Sequence, residues 1–225
     1  MNQPYPGGEL AVFAQARNWK SYIASMLNPW LGARVLDVGA GIGGHIPSLF
    51  AAPVQEWVAM EPDAALAGQI TDASRVVTGT LAALDPAETF DAILYLDVVE
   101  HIADDAAELA RAVRHLAPGG RLIVLVPAHQ FLFSPFDAAI GHHRRYNRAS
   151  LRRIGPPGAT LARLLLLDSV GLLASLANKL VLRSANPSLE QIRVWDRAMV
   201  PVSQIVDRLT GYRVGKSVLG IWTVP

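Results

Sequence analysis

Apolar positions along the chain follow two alternating rhythms. Short, nearly continuous apolar runs at 35–38, 56–60, 75–77, 91–96 and 121–127 read as buried strands. Between them apolar residues recur at helical spacing. Residues 9–27 carry Leu10, Phe13, Ala14, Ile23 and Leu27 and are closed by Asn28-Pro29, and 46–52, 63–71 and 104–117 have the same character. Strands apolar on both sides and alternating with helices predict a parallel sheet covered on both faces, a doubly wound α/β domain. After Pro127 the rhythm breaks. Residues 128–150 have no period and are too long for an ordinary connection, which marks them as functional or disordered. A strand at 159–167, helices at 169–183 and 188–209 and a last strand at 217–224 complete the prediction.

The stretch 161–182 approaches the length of a membrane span. Arg163, Asp168, Asn178 and Lys179 interrupt it, and a central aspartate alone costs about 2.5–3.5 kcal/mol on insertion. It reads as a buried strand followed by an apolar helix, with contact at a membrane surface as the lesser alternative. The chain has 225 residues and is 51% hydrophobic, enough for one large core and for a single domain over 1–225. Twenty basic residues against 19 acidic leave a net charge of +1, so no overall field favours nucleic acid. The absence of cysteine excludes disulfides, thiolate metal sites and thiol nucleophiles. Glu9, Arg17 and Lys20 fall in the first 30 residues, with no apolar run leading to a cleavage site. The expected location is therefore the cytoplasm, with no stable membrane span.

Gly39-Ala40-Gly41-Ile42-Gly43-Gly44 lies between the first strand and a helix, where backbone N–H groups hold anionic or polar ligands. Gly39, Gly41 and Gly44 satisfy a dinucleotide pattern. Gly39, Gly41 and Gly43 satisfy one associated with S-adenosylmethionine. Asp37, at the carboxyl end of the strand, is expected to point into the crevice; it would repel a pyrophosphate and favour the cations of S-adenosylmethionine. Glu61 ends the second strand and suits the two hydroxyls of a ribose, which both cofactors share.

The segments VLDVGAGIG, AMEPD, GTL (79–81), FDAILYLDVVEHI (90–102) and LAPGGRLIVLVPA (116–128) resemble, in order and spacing, class I S-adenosylmethionine-dependent methyltransferases. FDAAIGHHRRYN is similar to the bacterial type-11/type-12 group, whose members often carry a GHxRRY segment. The resemblance implies a seven-stranded, mostly parallel Rossmann-like sheet with a reversed last strand. It implies a cofactor core over 30–128, with 1–29, 128–150 and 169–210 covering the substrate. Carried across by position, Asp37, Gly39, Gly41 and Gly43 would meet the methionine part, and Glu61 and Pro62 the ribose. Gly79, Thr80 and Leu81 would lie by the adenine, with Thr80 departing from the aspartate found in many relatives. Asp97, Val98 and His101 would sit at the pocket mouth, where Glu100-His101 matches the family's EH pair.

Methyl transfer needs position, exclusion of water and sometimes a base. His142 is the first candidate base, followed by His143 and Tyr146, with Asp137 five residues earlier able to orient a histidine. Trp19, Tyr22, His129, Arg144 and Arg145 are candidate substrate contacts, the arginines suiting a carboxylate or phosphate. Trp195 and Met199 share a helical face, as core or as acceptor wall. No spacing of histidines or carboxylates argues for a metal. The expected enzyme is a bacterial methyltransferase of secondary metabolism. It would methylate a small-molecule, glycosyl or lipid-like acceptor, anionic or amphipathic, on oxygen before nitrogen or carbon, and act as a monomer or homodimer. The alternatives are a cofactor-binding fold with non-methylating chemistry such as natural-product cyclisation, a nicotinamide-dependent oxidoreductase, and a binding protein with a dead pocket.

Overall fold

The computed structural model describes residue 10 and residues 13–50, 53–177, 179 and 188–225. Seven strands form one sheet: β1 (Arg34–Val38), β2 (Glu56–Glu61), β3 (Arg75–Thr78), β4 (Phe90–Leu96), β5 (Leu116–Pro127), β6 (Thr160–Leu167) and β7 (Ser217–Thr223). Their order is β3-β2-β1-β4-β5-β7-β6. Neighbours from β3 to β5 pair in parallel, and β7 runs antiparallel to both β5 and β6. The reversed last strand is thus present, inserted between β5 and β6 and antiparallel to both.

Successive side chains of the central strands alternate between two apolar layers. Val35, Trp57, Ala59, Leu94 and Ile123 enter one core; Leu36, Val58, Met60, Ile93 and Val124 enter the other. The edge strand β3 is mostly exposed, and Arg75 pairs with Glu88 beside it, a charged edge that discourages further pairing.

The helices are α1 (Arg17–Leu27), α2 (Ile46–Leu49), α3 (Ala64–Ala67), α4 (Asp105–Ala112), α5 (Pro135–Ala139), α6 (Arg148–Arg153), α7 (Ser169–Ala177), α8 (Leu189–Val194) and α9 (Val200–Leu209). Two of them start where the sequence places them, since Asp63 accepts from the N–H groups of Ala65 and Leu66 and Asp104 caps α4 through Ala107. Both end early, α3 at Gly68 and α4 in a 3₁₀ turn at Val113–His115. The segment 128–150 is not irregular throughout. A Ser134–Asp137 capping box starts α5, and an Asn147–Ser150 box starts α6. The helix expected over 188–209 is three pieces, with a π-helical turn at Trp195–Met199 just ahead of Pro201, which has no N–H to offer the preceding turn. Parts of the expected helices at 9–27, 46–52 and 169–183 lie outside the described residues. Among the described residues no helix is long and apolar enough to cross a membrane.

Two buried aspartates tie the covering helices to the sheet. Asp207 accepts from Tyr22 Oη at 2.8 Å and from the backbone N–H groups of Asp168 and Ser169. Asp168, also buried, accepts from Ser203 Oγ at 2.6 Å, Trp195 Nε1 at 2.7 Å and Gly171 N. All four carboxylate oxygens are hydrogen-bonded, which locks α1, α7 and α9 over the end of β6.

Candidate active site

The strand order reverses between β1 and β4, so the loops leaving their carboxyl ends diverge and open a crevice. A cleft of about 2120 Å³ occupies this place. The loops after β1, β2, β3 and β4 form one side of it. Leu10, Phe13, Trp19, the segment from Leu132 to Asp137, and Trp195 and Met199 form the other.

The glycine loop is shaped for close approach. Gly39, Gly41 and Gly43 all have positive φ, at 71°, 59° and 71°. A Cβ on Gly39 would stand 2.7 Å from Val98 Cγ2, so that position excludes any side chain. The N–H groups of Gly39 and Ala40 are held by Met60 O at 2.8 and 3.0 Å, which pins the loop to the end of β2. Glu61 bridges the same space: Oε2 accepts from Gly41 N at 2.8 Å and Oε1 from Asp63 N at 3.0 Å. Burial raises its carboxyl above the ordinary range, and these two N–H groups only partly offset the effect. A carboxylate aimed across a loop whose Gly39 has no room for a Cβ fits a nucleoside with a free ribose. Pro62, Gly79, Thr80, Asp97, Val98 and His101 line the same cleft.

Asp37 is not on that surface. Its side chain is buried beneath the loop, where Oδ2 meets His45 Nε2 at 2.7 Å and Trp57 Nε1 at 3.3 Å. Oδ1 has no partner. The pleat sends position 37 to the same layer as Val35 and Trp57, and His45, directly after the glycines, lines the cleft in its place. Burial disfavours the His45 cation, but Asp37, through charge and hydrogen bond, outweighs this and raises its pKa. His45 was missed because sequence alone gives no sign that the residue closing the loop folds back onto β1.

The other end of the cleft is built by the loop after β4 and by residues 134–145. Asp97 has a positive φ of 56° and is exposed to the cleft; desolvation by the surrounding walls raises its pKa, against the pull of His142, Lys216, His45 and Arg145. Glu100 is fully buried, and neither carboxyl oxygen has a hydrogen-bond partner. Burial, reinforced by Asp97, raises its pKa well above the carboxylate range. His101 and His142 meet edge to face with ring centroids 4.5 Å apart, and burial followed by the neighbouring His142 and His143 lowers His101 to about 4.

Asp137 does orient a histidine. Oδ1 accepts from His142 Nδ1 at 2.9 Å, while Arg145 grips both oxygens at 2.9 Å and Ser134 donates from N and Oγ. Burial raises the Asp137 pKa, but these donors overcome it and hold the carboxyl far below its usual range. His142 Nε2 then faces Glu100 Oε1 at 3.8 Å.

Other sequence candidates stand away from the cleft surface. Leu81 and Gly43 pack behind it, the latter against Ile46 and Ile70. Tyr22 is buried on Asp207. His129 Nε2 meets Gly215 O at 2.9 Å. His143 is exposed, with its backbone N–H bound to Glu100 O. Arg144 and the buried Tyr146 both bond Asp105 Oδ2, at 2.6 and 2.7 Å, so they brace the loop against α4. Trp19, Arg145 and His142 do line the cleft, as do the unforeseen Lys20 and Lys216. Lys216 sits 3.9 Å from the Trp195 ring centroid, and only the fold brings its segment here.

A reversed seventh strand, a glycine cradle at the β1/β4 switch and a carboxylate ending β2 are together the architecture of a Rossmann-like methyltransferase domain. The sequence model of the methyltransferase domain matches residues 12–155, and the chain belongs to that family. It is 34% identical over 110 residues to a ubiquinone biosynthesis O-methyltransferase of Bradyrhizobium sp. (strain ORS 278), covering 45% of this chain and 42% of that protein. The chain therefore spans less than half the length of that relative. In fold it is similar to a chain from the complex between the Haloferax volcanii Trm112 methyltransferase activator and its methyltransferase, with TM-score 0.68, 15% identity, and 100% and 99% of the two chains covered. It is likewise similar to a SAM-dependent methyltransferase from Archaeoglobus fulgidus, with TM-score 0.61, 16% identity, and 96% and 99% covered. Family membership sets aside the oxidoreductase alternative.

Proposed function

We propose that the chain methylates a hydroxyl group on an apolar or amphipathic small molecule. The observation that carries this reading is the two-ended cleft. One end is a cluster of ionisable side chains at Asp97, Glu100, His101 and His142; the other wall is Phe13, Trp19, Trp195 and Met199. Ordinary small-molecule pockets measure about 300–1,000 Å³, so a cleft of about 2120 Å³ has room for a cofactor and a sizeable acceptor together.

In this reading residues 30–128 hold the cofactor, and 1–29, 128–150 and 169–210 cover the acceptor. The glycine loop takes the methionine part, Glu61 the ribose and Gly79-Thr80 the adenine. When bound, S-adenosylmethionine supplies a methyl group on a good leaving group. Asp97 faces that centre with negative charge. The aromatic wall excludes water and orients the acceptor ring or chain. Asp137 holds the His142 Nδ1 proton, so Nε2 is the nitrogen that takes the acceptor's hydroxyl proton in the metal-free chain. The ubiquinone O-methyltransferase relatives support oxygen as the methylated atom. Cytoplasmic action in bacterial secondary metabolism belongs to the same proposal.

The test is a panel of acceptors sharing one apolar body and differing in the reacting group: hydroxyl, amine, carboxylate or methyl ether. The reading expects turnover with the hydroxyl, and a KM that falls as the apolar body grows. Turnover confined to amines, or indifference to the apolar body, contradicts it.

A further inference from the structure

Glu100, His101 and His142 each present a ligand atom such that all lie within 4.8 Å of one another. Three observations make this more than a chance meeting. Glu100 is wholly buried, yet both of its oxygens lack a partner, although buried polar groups are as a rule hydrogen-bonded. The second nitrogen of His142 is already bound to a carboxylate, Asp137 Oδ1 at 2.9 Å, the outer support that metal-ligating histidines almost always have. His101 is hydrogen-bonded to the backbone of Gly141, which steadies its ring in the same way.

We propose that Glu100, His101 and His142 form a binding site for a divalent cation of the zinc class. Two imidazoles and one carboxylate are a donor set for zinc or cobalt, whereas magnesium calls for oxygen ligands throughout. Ligands at 2.0–2.1 Å from a tetrahedral zinc stand roughly 3.4 Å apart. His142 Nε2 is 3.8 Å from Glu100 Oε1 and all three ligand atoms lie within 4.8 Å, so the side chains must draw together on a bound ion. Three protein ligands leave one position open, and all three residues line the cleft, so that position faces the acceptor.

This inference rests on the hydroxyl-methylation reading and deepens it. A cation at that position binds the acceptor hydroxyl and acidifies it. The hydroxyl proton passes to water, the oxygen forms a bond to the methyl carbon, and the carbon–sulfur bond of S-adenosylmethionine breaks with its electron pair going to sulfur. In the loaded chain His142 is a ligand and takes no proton.

The experiment uses the full chain, dialysed against a chelator and titrated with Zn²⁺ by calorimetry and with Co²⁺ by visible absorption. One equivalent of Zn²⁺ should bind saturably, and Co²⁺ should give the intense bands of a low-coordinate nitrogen–oxygen site. Glu100→Gln, His101→Gln and His142→Gln should each weaken binding about tenfold or more, while His115→Gln leaves it unchanged. Zn²⁺ should raise the melting temperature of the parent chain and not of folded Glu100→Gln. Absence of saturable binding, or binding that survives all three substitutions, overturns the proposal. Hydroxyl methylation by a chain that binds no Zn²⁺ overturns the cation site and leaves the reaction class standing. Zn²⁺ binding lost in the variants, without methylation of any hydroxyl acceptor, does the reverse.

Discussion

Asp137 Oδ1 accepts the Nδ1 proton of His142 at 2.9 Å and thereby decides which face of the imidazole is left for chemistry. A carboxylate only accepts, so Nδ1 carries a hydrogen and, in the neutral ring, the lone pair is on Nε2, which faces Glu100 and the cleft. Arg145 and Ser134 occupy the remaining lone pairs of Asp137, so the carboxylate cannot swing away.

Replacing Asp137 with Asn therefore inverts the tautomer, because the amide can donate to Nδ1. In the metal-free chain turnover should fall about 100-fold or more, the usual range for losing a positioned base, while S-adenosylhomocysteine affinity stays unchanged by calorimetry. Equal losses in both would show that the variant had damaged the fold instead.

Glu61 spans Gly41 N and Asp63 N at the ribose end of the cleft. Glu61→Gln keeps the volume but replaces one acceptor oxygen with a donor that faces an N–H. Affinity for S-adenosylhomocysteine should drop roughly tenfold, about 1.5 kcal/mol for one charge-assisted hydrogen bond. An unchanged dissociation constant would remove Glu61 from the cofactor site.

The reading of Asp37 shows where sequence stopped. Its place at the end of β1 was legible from the apolar run before it and the glycines after it, as were all seven strands and the two-faced cover. Its direction was not, since one residue along a pleat reverses the face. The same holds for Glu100: a pair of letters in a motif says nothing of whether a carboxyl is buried without partners. His142 and Asp137 could be guessed as partners from their short separation. The meeting of His142 with Glu100 and His101 could not, because some 40 residues intervene and tertiary contacts such as the β4–β5 pairing, the Ala128–Tyr146 bridge and the bond from His143 N–H to Glu100 O close that distance. Lys216 is a further case, since nothing near β7 in sequence points to a cleft.

The pairing of His45 with Asp37 carries a pH signature. The folded chain raises the His45 pKa above its ordinary value, so the cation is favoured by folding. Its contribution is fully present below the unfolded pKa of about 6.5 and is lost as pH rises through the folded value. The melting temperature of the parent should exceed that of His45→Gln by more at about pH 5.5 than at about pH 8.5. A difference that is constant, or that grows with pH, contradicts the assignment.

Asp196 caps a helix from which it is distant in sequence. Its carboxylate accepts from Trp19 N at 2.9 Å and Asn18 N at 3.2 Å, serving α1, whose own N-cap, Ala16, has no side-chain acceptor. Asp196→Ala should cost about 1–2 kcal/mol in denaturant unfolding and raise KM for an apolar acceptor, since Trp19 and Trp195 pack at 5.6 Å between centroids in the cleft wall. Loss of stability without any change in KM would separate the cap from the acceptor wall.

The most direct measurement counts products. The purified chain, supplied with S-adenosylmethionine and an apolar hydroxyl acceptor, should form methyl ether and S-adenosylhomocysteine in equal amounts, followed by mass spectrometry over time. A transformed acceptor with no S-adenosylhomocysteine would mean that the cofactor is held without giving up its methyl group, and the account would fail.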